Sequence, residues 1–588
     1  MASWELSPLY RHASSVLLPD SHRLVSIHKD RVVLRNIQTL QVLRTWALPL
    51  PASAPTRSSG DPGPSLNLNL TVSPCAPFLI LVAALKHRTA WVIHPDHEGL
   101  HARLDVGNEG AVAVEWAHLG PEGEPVVLSW SAHHLRLSLF RLADPGNALS
   151  IVNPKHSHPH GYSFRPDGAF LAVLERHHSR DVIGIYSTSA WSLMRDPNSD
   201  LADVAWSPCG RYLAAWSAVT DYTLHVFTPD GRLLSTFSPY SSLSPPPAPT
   251  ASSRASRKPA APAPPPQPPQ LGAHDLSRRE RSTAPYVGLG IRTVAWAPGG
   301  EWLAVGGWDG KVRVLSRAGR WAVVAEVGLP ARVVEPVVAW REPAGWVEKT
   351  RGKGIVSFDS LPLPHSLTPL APNFAAPVPK IGIAKLLWSS SGRWIAAWDA
   401  AHPHLVAIYT FPLSSDVAPS PASRPRLHTL LVHSAAPASA SPGASAGAGS
   451  GGGVRALAWQ PAGARRGSEE EDGEGSDEET LVMLVGEKKG LTLWRSTGDG
   501  AGVAECVGIP APADVAFPAS SLSFAPDGRS LLLSAPAGPG AAAGEETFCV
   551  AYPVYDYDEM REAEEDGAGE RTRLSEDGLV ADGIDLGA

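Results

Sequence analysis

The stretch Val294-Ala-Trp-Ala-Pro-Gly-Gly-Glu-Trp-Leu-Ala-Val-Gly-Gly-Trp-Asp-Gly-Lys-Val-Arg-Val-Leu315 decides how the chain folds. Val294 and Trp296 alternate as strand residues do, and Pro298, Gly299 and Gly300 make a tight turn. Leu303 to Val305 form a short apolar strand, Gly307 to Gly310 turn the chain again, and Val312, Val314 and Leu315 run out along a third strand. Asp309-Gly310 is strong turn chemistry, because both residues tolerate positive φ and Asp bonds its own backbone. Apolar runs punctuated in this way are antiparallel β-structure, not helix.

The pattern recurs at Val204–Ala215 leading into Thr223–Phe227, and at Tyr162–Val173 leading into Val182–Tyr186. It returns at Leu386–Ala397 with Leu405–Tyr409, and at Leu522–Leu533 with Thr547–Val550. Weaker copies are Leu24–Ile27 with Arg31–Leu34, Leu79–Ala83 with Thr89–Ile93, Val112–Trp116 with Leu135–Phe140, and Val454–Trp459 with Leu491–Trp494. About 42 residues separate Phe164 from Trp206, the period of a four-stranded propeller blade of the WD type. The Trp-Asp ending of such repeats is mostly lost. About nine units are counted, which predicts an all-β WD-repeat β-propeller of seven to nine blades. Nine units close as one ring, or seven close with two packed outside.

A single four-stranded sheet of this size cannot bury both faces, whereas radial stacking covers them and leaves only short edges. The early aromatic of each unit is therefore expected between blades: Trp116, Phe164, Trp206, Trp296, Trp388, Trp459 and Phe524, with Asp309 as the turn position. The competing reading of these tryptophans, as platforms for stacked bases, fits the repeat spacing less well.

The chain is organised as follows. Residues 1–240 hold blades 1 to 5, with Trp4-Glu-Leu6 a candidate strand for completing the last blade. The Pro/Ala-rich tract 241–285 has too few apolar anchors to fold. Blade 6 occupies 286–332, an irregular insertion 333–380 follows, and 381–555 carry blades 7 to 9 with low-complexity linkers and an acidic run from Ser468 to Glu479. The tail 556–588 is acidic and expected to be disordered.

Function classes narrow from here. The net charge of −8 over 588 residues is too mild to imply a partner. Cys75, Cys209, Cys506 and Cys549 form no C-x-x-C pair, which suits a reducing compartment. Asn69-Leu70-Thr71 matches a glycosylation acceptor, but the N-terminus does not read as a signal peptide, and no apolar run is long enough to span a membrane. Gly443-Ala-Ser-Ala-Gly447 matches a nucleophile elbow but lies in a linker, where the strand-to-helix turn that motif needs is absent. No phosphate loop is present, and Gly288 and Gly290 precede a strand, the wrong context for a dinucleotide loop. His156, His158 and His160, and the pairs His133-His134 and His177-His178, read as loop histidines rather than metal ligands. The basic residues between Arg254 and Arg281 lack interleaved aromatics, which argues against nucleic acid. No catalytic, cofactor-binding or metal-ligating residue is assigned, so the expectation is a non-enzyme.

Several stretches resemble one family. They are Leu171–Arg176 followed by Asp181, Asp230-Gly-Arg-Leu-Leu-Ser-Thr-Phe237 with Tyr240, Gly290–Trp296 through Asp309–Leu315, Pro379-Lys-Ile-Gly-Ile383, and the opening Val33–Val42. Their order and spacing are similar to the centrosomal and spindle-pole WD-repeat proteins called WD repeat protein eight, the WRAP-type family. The resemblance covers about residues 9 to 550, and it implies a non-enzymatic scaffold without cofactor. Its implied partner is a coiled-coil microtubule-anchoring protein, with a minus-end-directed kinesin and tubulin complexes as further partners, and without nucleic acid or membrane. The implied location is the cytoplasmic cytoskeleton at a microtubule organising centre, the spindle pole body or centrosome. There such proteins anchor microtubule minus ends and support the mitotic spindle. The insertion after Tyr240, the acidic run and the acidic tail depart from the family. The competing function is a WD adaptor in another assembly, a ubiquitin ligase or an RNA-processing complex.

Overall fold

The computed structural model describes residues 3–50, 68–238, 290–371, 381–411, 425–434, 453–462, 478–535 and 546–554, with short breaks inside these spans. The tract 241–285, the nucleophile-elbow match, most of the acidic run and the acidic tail lie outside the described residues.

Nine antiparallel blades form, each with strands named a to d from the innermost outwards. Blade 6 is typical: Ile291–Trp296, Trp302–Gly307, Lys311–Ser316 and Ala322–Gly328 pair in that order. Strands b and c lie between neighbouring blades and are apolar along their length; Ile80–Ala84 of blade 2 and Thr480–Val485 of blade 8 are buried at every position. Strand d of the locally completed blades is the more exposed one, as in Val42–Ala47 of blade 1, where only Trp46 is buried.

Each junction between successive blades holds one apolar cluster. Leu18, Val32, Leu70 and Val82 join blades 1 and 2, and clusters of the same kind continue to blade 9. Leu24, Leu532, Phe548 and Val550 then join blade 9 back to blade 1. The nine units therefore close as one ring. Closure is made by the N-terminal chain, as Ser3–Leu6 pairs antiparallel with Glu546–Val554 as strand d of blade 9. Tyr10–His12 pairs further along the same strand. Between them Ser7 imitates a strand residue: its N–H donates to Val550 O at 2.8 Å, and its Oγ accepts from Val550 N at 3.0 Å.

Two turn glycines are set by close approach. Gly300 has φ 70°, and a Cβ there would lie 2.4 Å from Cys209 Sγ of the preceding blade. Gly382 has φ 79°, and its Cβ would lie 2.5 Å from Trp308 Cα. The backbone of blade 7 thus enters directly against the b–c turn of blade 6.

The stretch 333–380, read as irregular, contributes short strands to the ring. Val338–Arg341 adds parallel to Arg426–Val432, the outer strand of blade 7, and Asp359–Ser360 pairs beyond it. Ile355–Ser357 adds antiparallel to Val503–Gly508, the outer strand of blade 8. Val333, Ala339, Leu361 and Leu367 pack on Leu405 and Leu430 of blade 7. The strands are two to four residues long and pair with partners distant in sequence, so no local periodicity announces them.

Candidate interaction surfaces

The aromatic repeat positions sit at the junctions, each against the blade before it. Trp116 packs with Leu81 and Val92 of blade 2, and Trp206 with Leu174 and Ile185 of blade 4. The Phe164 ring lies 5.8 Å from His118 of blade 3. Phe524 joins the cluster shared by blades 8 and 9. At three successive junctions the indole N–H also donates backwards to the preceding inner strand. Trp296 Nε1 reaches Ala205 O at 3.1 Å, Trp388 Nε1 reaches Ala295 O at 3.0 Å, and Trp459 Nε1 reaches Leu387 O at 3.3 Å. Each acceptor is the residue before the aromatic of the preceding repeat. The rings are therefore held to the preceding blade at their N–H edge and are buried or half-buried.

A second set of donors runs forwards. Arg292 donates to Ile381 O and, at 3.1 Å, to Gly382 O, with its guanidinium 4.5 Å from the Trp308 ring centroid. Lys385 donates to Arg455 O, and Arg455 to Pro518 O at 3.1 Å. Burial lowers the pKa of both Arg292 and Lys385. In blade 2, Asn69 Nδ2 donates to Val114 O of blade 3 at 3.1 Å, so the side chain of the glycosylation-like triplet is itself a blade fastening.

The charged turns around Arg176–Asp181 and Asp309–Lys311 are largely paired within the ring. Asp309 Oδ2 accepts from Arg313 Nη2 at 2.7 Å, and Arg313 Nη1 also meets the Tyr222 hydroxyl at 2.5 Å. Asp181 is held by Lys155 and by Arg176 Nε at 3.1 Å. Glu479, read as the end of a solvated acidic run, is buried. It accepts from Ser391 N at 2.9 Å and Ser391 Oγ at 2.8 Å, tying the a–b turn of blade 7 to blade 8. An unmet N–H at that turn would be costly, which explains why one carboxylate of the run folds in.

Sequence reasoning missed a buried ionic cluster. Glu342 follows the added strand of blade 7 and accepts from Lys488 Nζ at 2.7 and 2.8 Å, from Trp346 Nε1 at 2.7 Å and from Ser434 N at 3.0 Å. His433 Nδ1 lies 3.3 Å from its Oε2. Burial alone would raise the Glu342 carboxyl, but hydrogen bonds and charge from His433 and Lys488 outweigh it and hold the pKa at about 2. Burial lowers His433 in turn. The cluster joins the insertion, blade 7 and blade 8.

The loop histidines pair with carboxylates singly: His158 Nε2 with Glu115 at 3.0 Å, His160 Nδ1 with Asp203 at 3.2 Å, His177 Nε2 with Glu175 at 2.6 Å. His134 and His178 lie outside the described residues. Among the described residues no cluster of His, Cys, Asp and Glu could hold a metal, and no helix is long and apolar enough to cross a membrane. All four cysteines are free thiols, with Cys506 and Cys549 buried. What the ring presents outwards is its rim, where aliphatic side chains stay exposed on the outer strands of blades 1 to 6, among them Leu43, Leu100, Leu193, Leu234 and Val323.

Comparison with known proteins bears on the whole ring. Residues 286–316 match the family model of the WD domain, G-beta repeat. The chain is 26% identical over 538 residues to the mouse WD repeat-containing protein WRAP73, covering 88% of this chain and 90% of that protein. It is 26% identical over 145 residues to an uncharacterised WD repeat-containing protein of Schizosaccharomyces pombe, covering 24% of this chain and 29% of that one. Among solved structures, Chaetomium thermophilum Sqt1 bound to the N-terminus of ribosomal protein L10 aligns over 85% of this chain and 96% of that chain, at 12% identity and a TM-score of 0.36.

Proposed function

We propose that this chain, a WD-repeat protein of the WRAP type, holds a microtubule-anchoring complex at the spindle pole body or centrosome. Its place there is alongside a coiled-coil anchoring protein, with a minus-end-directed kinesin and tubulin complexes as further partners, and it supports the mitotic spindle. One observation carries the reading: the similarity to mouse WRAP73 runs through nearly the full length of both chains rather than through one repeat. The spindle-pole role follows from the family resemblance of stretches such as Asp230–Phe237 and Pro379–Ile383. A rigid ring whose inner charges are paired among themselves suits a scaffold, since polar loops over a fixed frame give selective contacts.

The test is to tag the protein in dividing cells, follow it through mitosis, deplete it, and identify what co-purifies. Focal signal at the poles, detached minus ends on depletion and a coiled-coil pole protein in the complex are expected. Diffuse signal with intact spindles would leave a WD adaptor of another assembly.

A further inference from the structure

The outer edge of blade 5 differs from that of the blades that carry added strands. Strand d of blade 5, Leu233–Phe237, pairs only with Leu224–Phe227 among the described residues. Leu233 and Leu234 are 50% and 44% exposed. Leu233 lies opposite Phe227 and Ser235 opposite Val226, so Leu234 is the extra residue of a bulge and the strand opens with two leucines in solvent. Beside it runs a cleft of about 450 Å³ between blades 5 and 6, with Ser235 and Phe237 on one wall and Arg320, Trp321 and Val323 on the other.

Three charged side chains line this cleft, Arg313, Arg320 and Glu326, and Arg232 precedes the strand beside it. Glu326 is committed to Arg313 Nε at 2.9 Å and to Lys311 Nζ at 2.5 Å. Arg232 and Arg320 are exposed and have no ion-pair partner among the described residues. Arg211 is exposed beside Tyr212, whose ring lies 5.0 Å from that of Trp321, and extends the basic edge.

We propose that this rim cleft docks an acidic, aliphatic-bearing extended segment of a partner protein, which adds to blade 5 as a fifth strand along Leu233–Phe237. The chain carries its own template for such docking. Val338–Arg341 adds to the outer strand of blade 7, places Trp340 against the junction cluster, and is followed by Glu342, which Lys488 receives. Among the described residues the same elements stand unused at blade 5: a strand edge, exposed leucines and guanidinium groups without an ion-pair partner. Main-chain hydrogen bonds supply affinity in this mode, and side-chain pockets supply selectivity. The exposed Leu233 and Leu234 at the strand edge favour a peptide over a nucleic acid or an anionic lipid surface.

The test uses the full chain and a fluorescent alternating Leu–Glu octapeptide, read by anisotropy, with a Leu–Lys octapeptide as control. The Leu–Glu peptide should bind, the Leu–Lys peptide should not, and binding should weaken as salt rises. Arg232→Glu with Arg320→Glu should weaken binding about tenfold or more. Leu234→Asn should weaken it severalfold, and Arg44→Glu on the rim of blade 1 should leave it unchanged. Amide exchange should slow within 233–237 on binding. Thermal melts separate misfolded variants from binding-defective ones, and Arg320→Lys should retain most of the affinity. Absence of Leu–Glu binding, equal binding of the Leu–Lys peptide, equal sensitivity to Arg44→Glu, or unprotected 233–237 would each overturn the proposal. Arginine-dependent but Leu234-independent binding of polyuridylate or phosphatidylserine vesicles would also overturn it, assigning the cleft to a polyanion.

Discussion

Blades 5 and 8 share one four-strand plan and finish it differently. The outer strand of blade 5 leaves consecutive leucines in solvent, whereas Val503–Gly508 of blade 8 is buried at five of its six positions. The difference is the chain added beyond it: Ile355–Ser357 covers the edge of blade 8, and the Glu342–Lys488 pair stitches that addition to the ring. Blades 7, 8 and 9 each use a strand from elsewhere in the sequence, while blades 1 to 6 are completed locally. Blades 7 and 8 are covered and cross-braced at the rim, whereas blade 5, among the described residues, is not.

The largest break in this contrast should come from the N-terminus. Removing residues 1–12 takes away strand d of blade 9 and Trp4 from its cluster. Calorimetry should then show loss of the single cooperative transition, with fast exchange in Glu546–Val554. An unchanged melting profile would mean that blade 9 holds without it. Next in size, Lys488→Ala leaves a buried carboxylate without its cation and should cost about 3–5 kcal/mol in urea unfolding. Arg44→Ala on the rim of blade 1 should stay within about 0.5 kcal/mol.

Acid should sharpen the same contrast. The Glu342 pKa is about 2 against an ordinary 4.5, so its stabilisation is fully present above pH 4.5 and is lost as pH falls through about 2. That difference corresponds to on the order of 3 kcal/mol. His433, lowered by burial, acts in the same direction from pH 6.5 downwards. Wild type should therefore lose stability faster than Glu342→Gln between pH 5 and 3, and parallel curves would remove Glu342 from the account. A smaller effect concerns the common junctions. Trp388→Phe deletes one indole donor while keeping most of the ring, and should cost about 1 kcal/mol. Trp206→Phe should cost less, because its Nε1 has no partner among the described residues.

Trp4–Leu6 could be offered as the closing strand because the repeat count leaves the last blade one strand short, and that count was legible because it depends on local alternation and turn chemistry. The use of the indole N–H was not, since its acceptor is a backbone carbonyl one repeat back. The added strands were not legible either: Val338 pairs with Thr429, and nothing in a four-residue strand specifies so distant a partner. Charge misled for a related reason. Glu479 and Asp309 have the composition of solvated turn residues; Ser391 of the neighbouring blade occupies the first, and Arg313, four residues on in the same hairpin, occupies the second.

Ring closure also imposes an order in time. Ser7 and Val550, which bond each other twice, stand 543 positions apart. At roughly 5–20 residues per second a ribosome needs about half a minute to two minutes to span that interval. Throughout it Ser3–Leu6 has no sheet to join, and the face of blade 1 that meets blade 9 has no neighbour to cover it. The nascent chain is thus an open arc with two uncovered apolar ends, and only release of the last strand converts it into a ring.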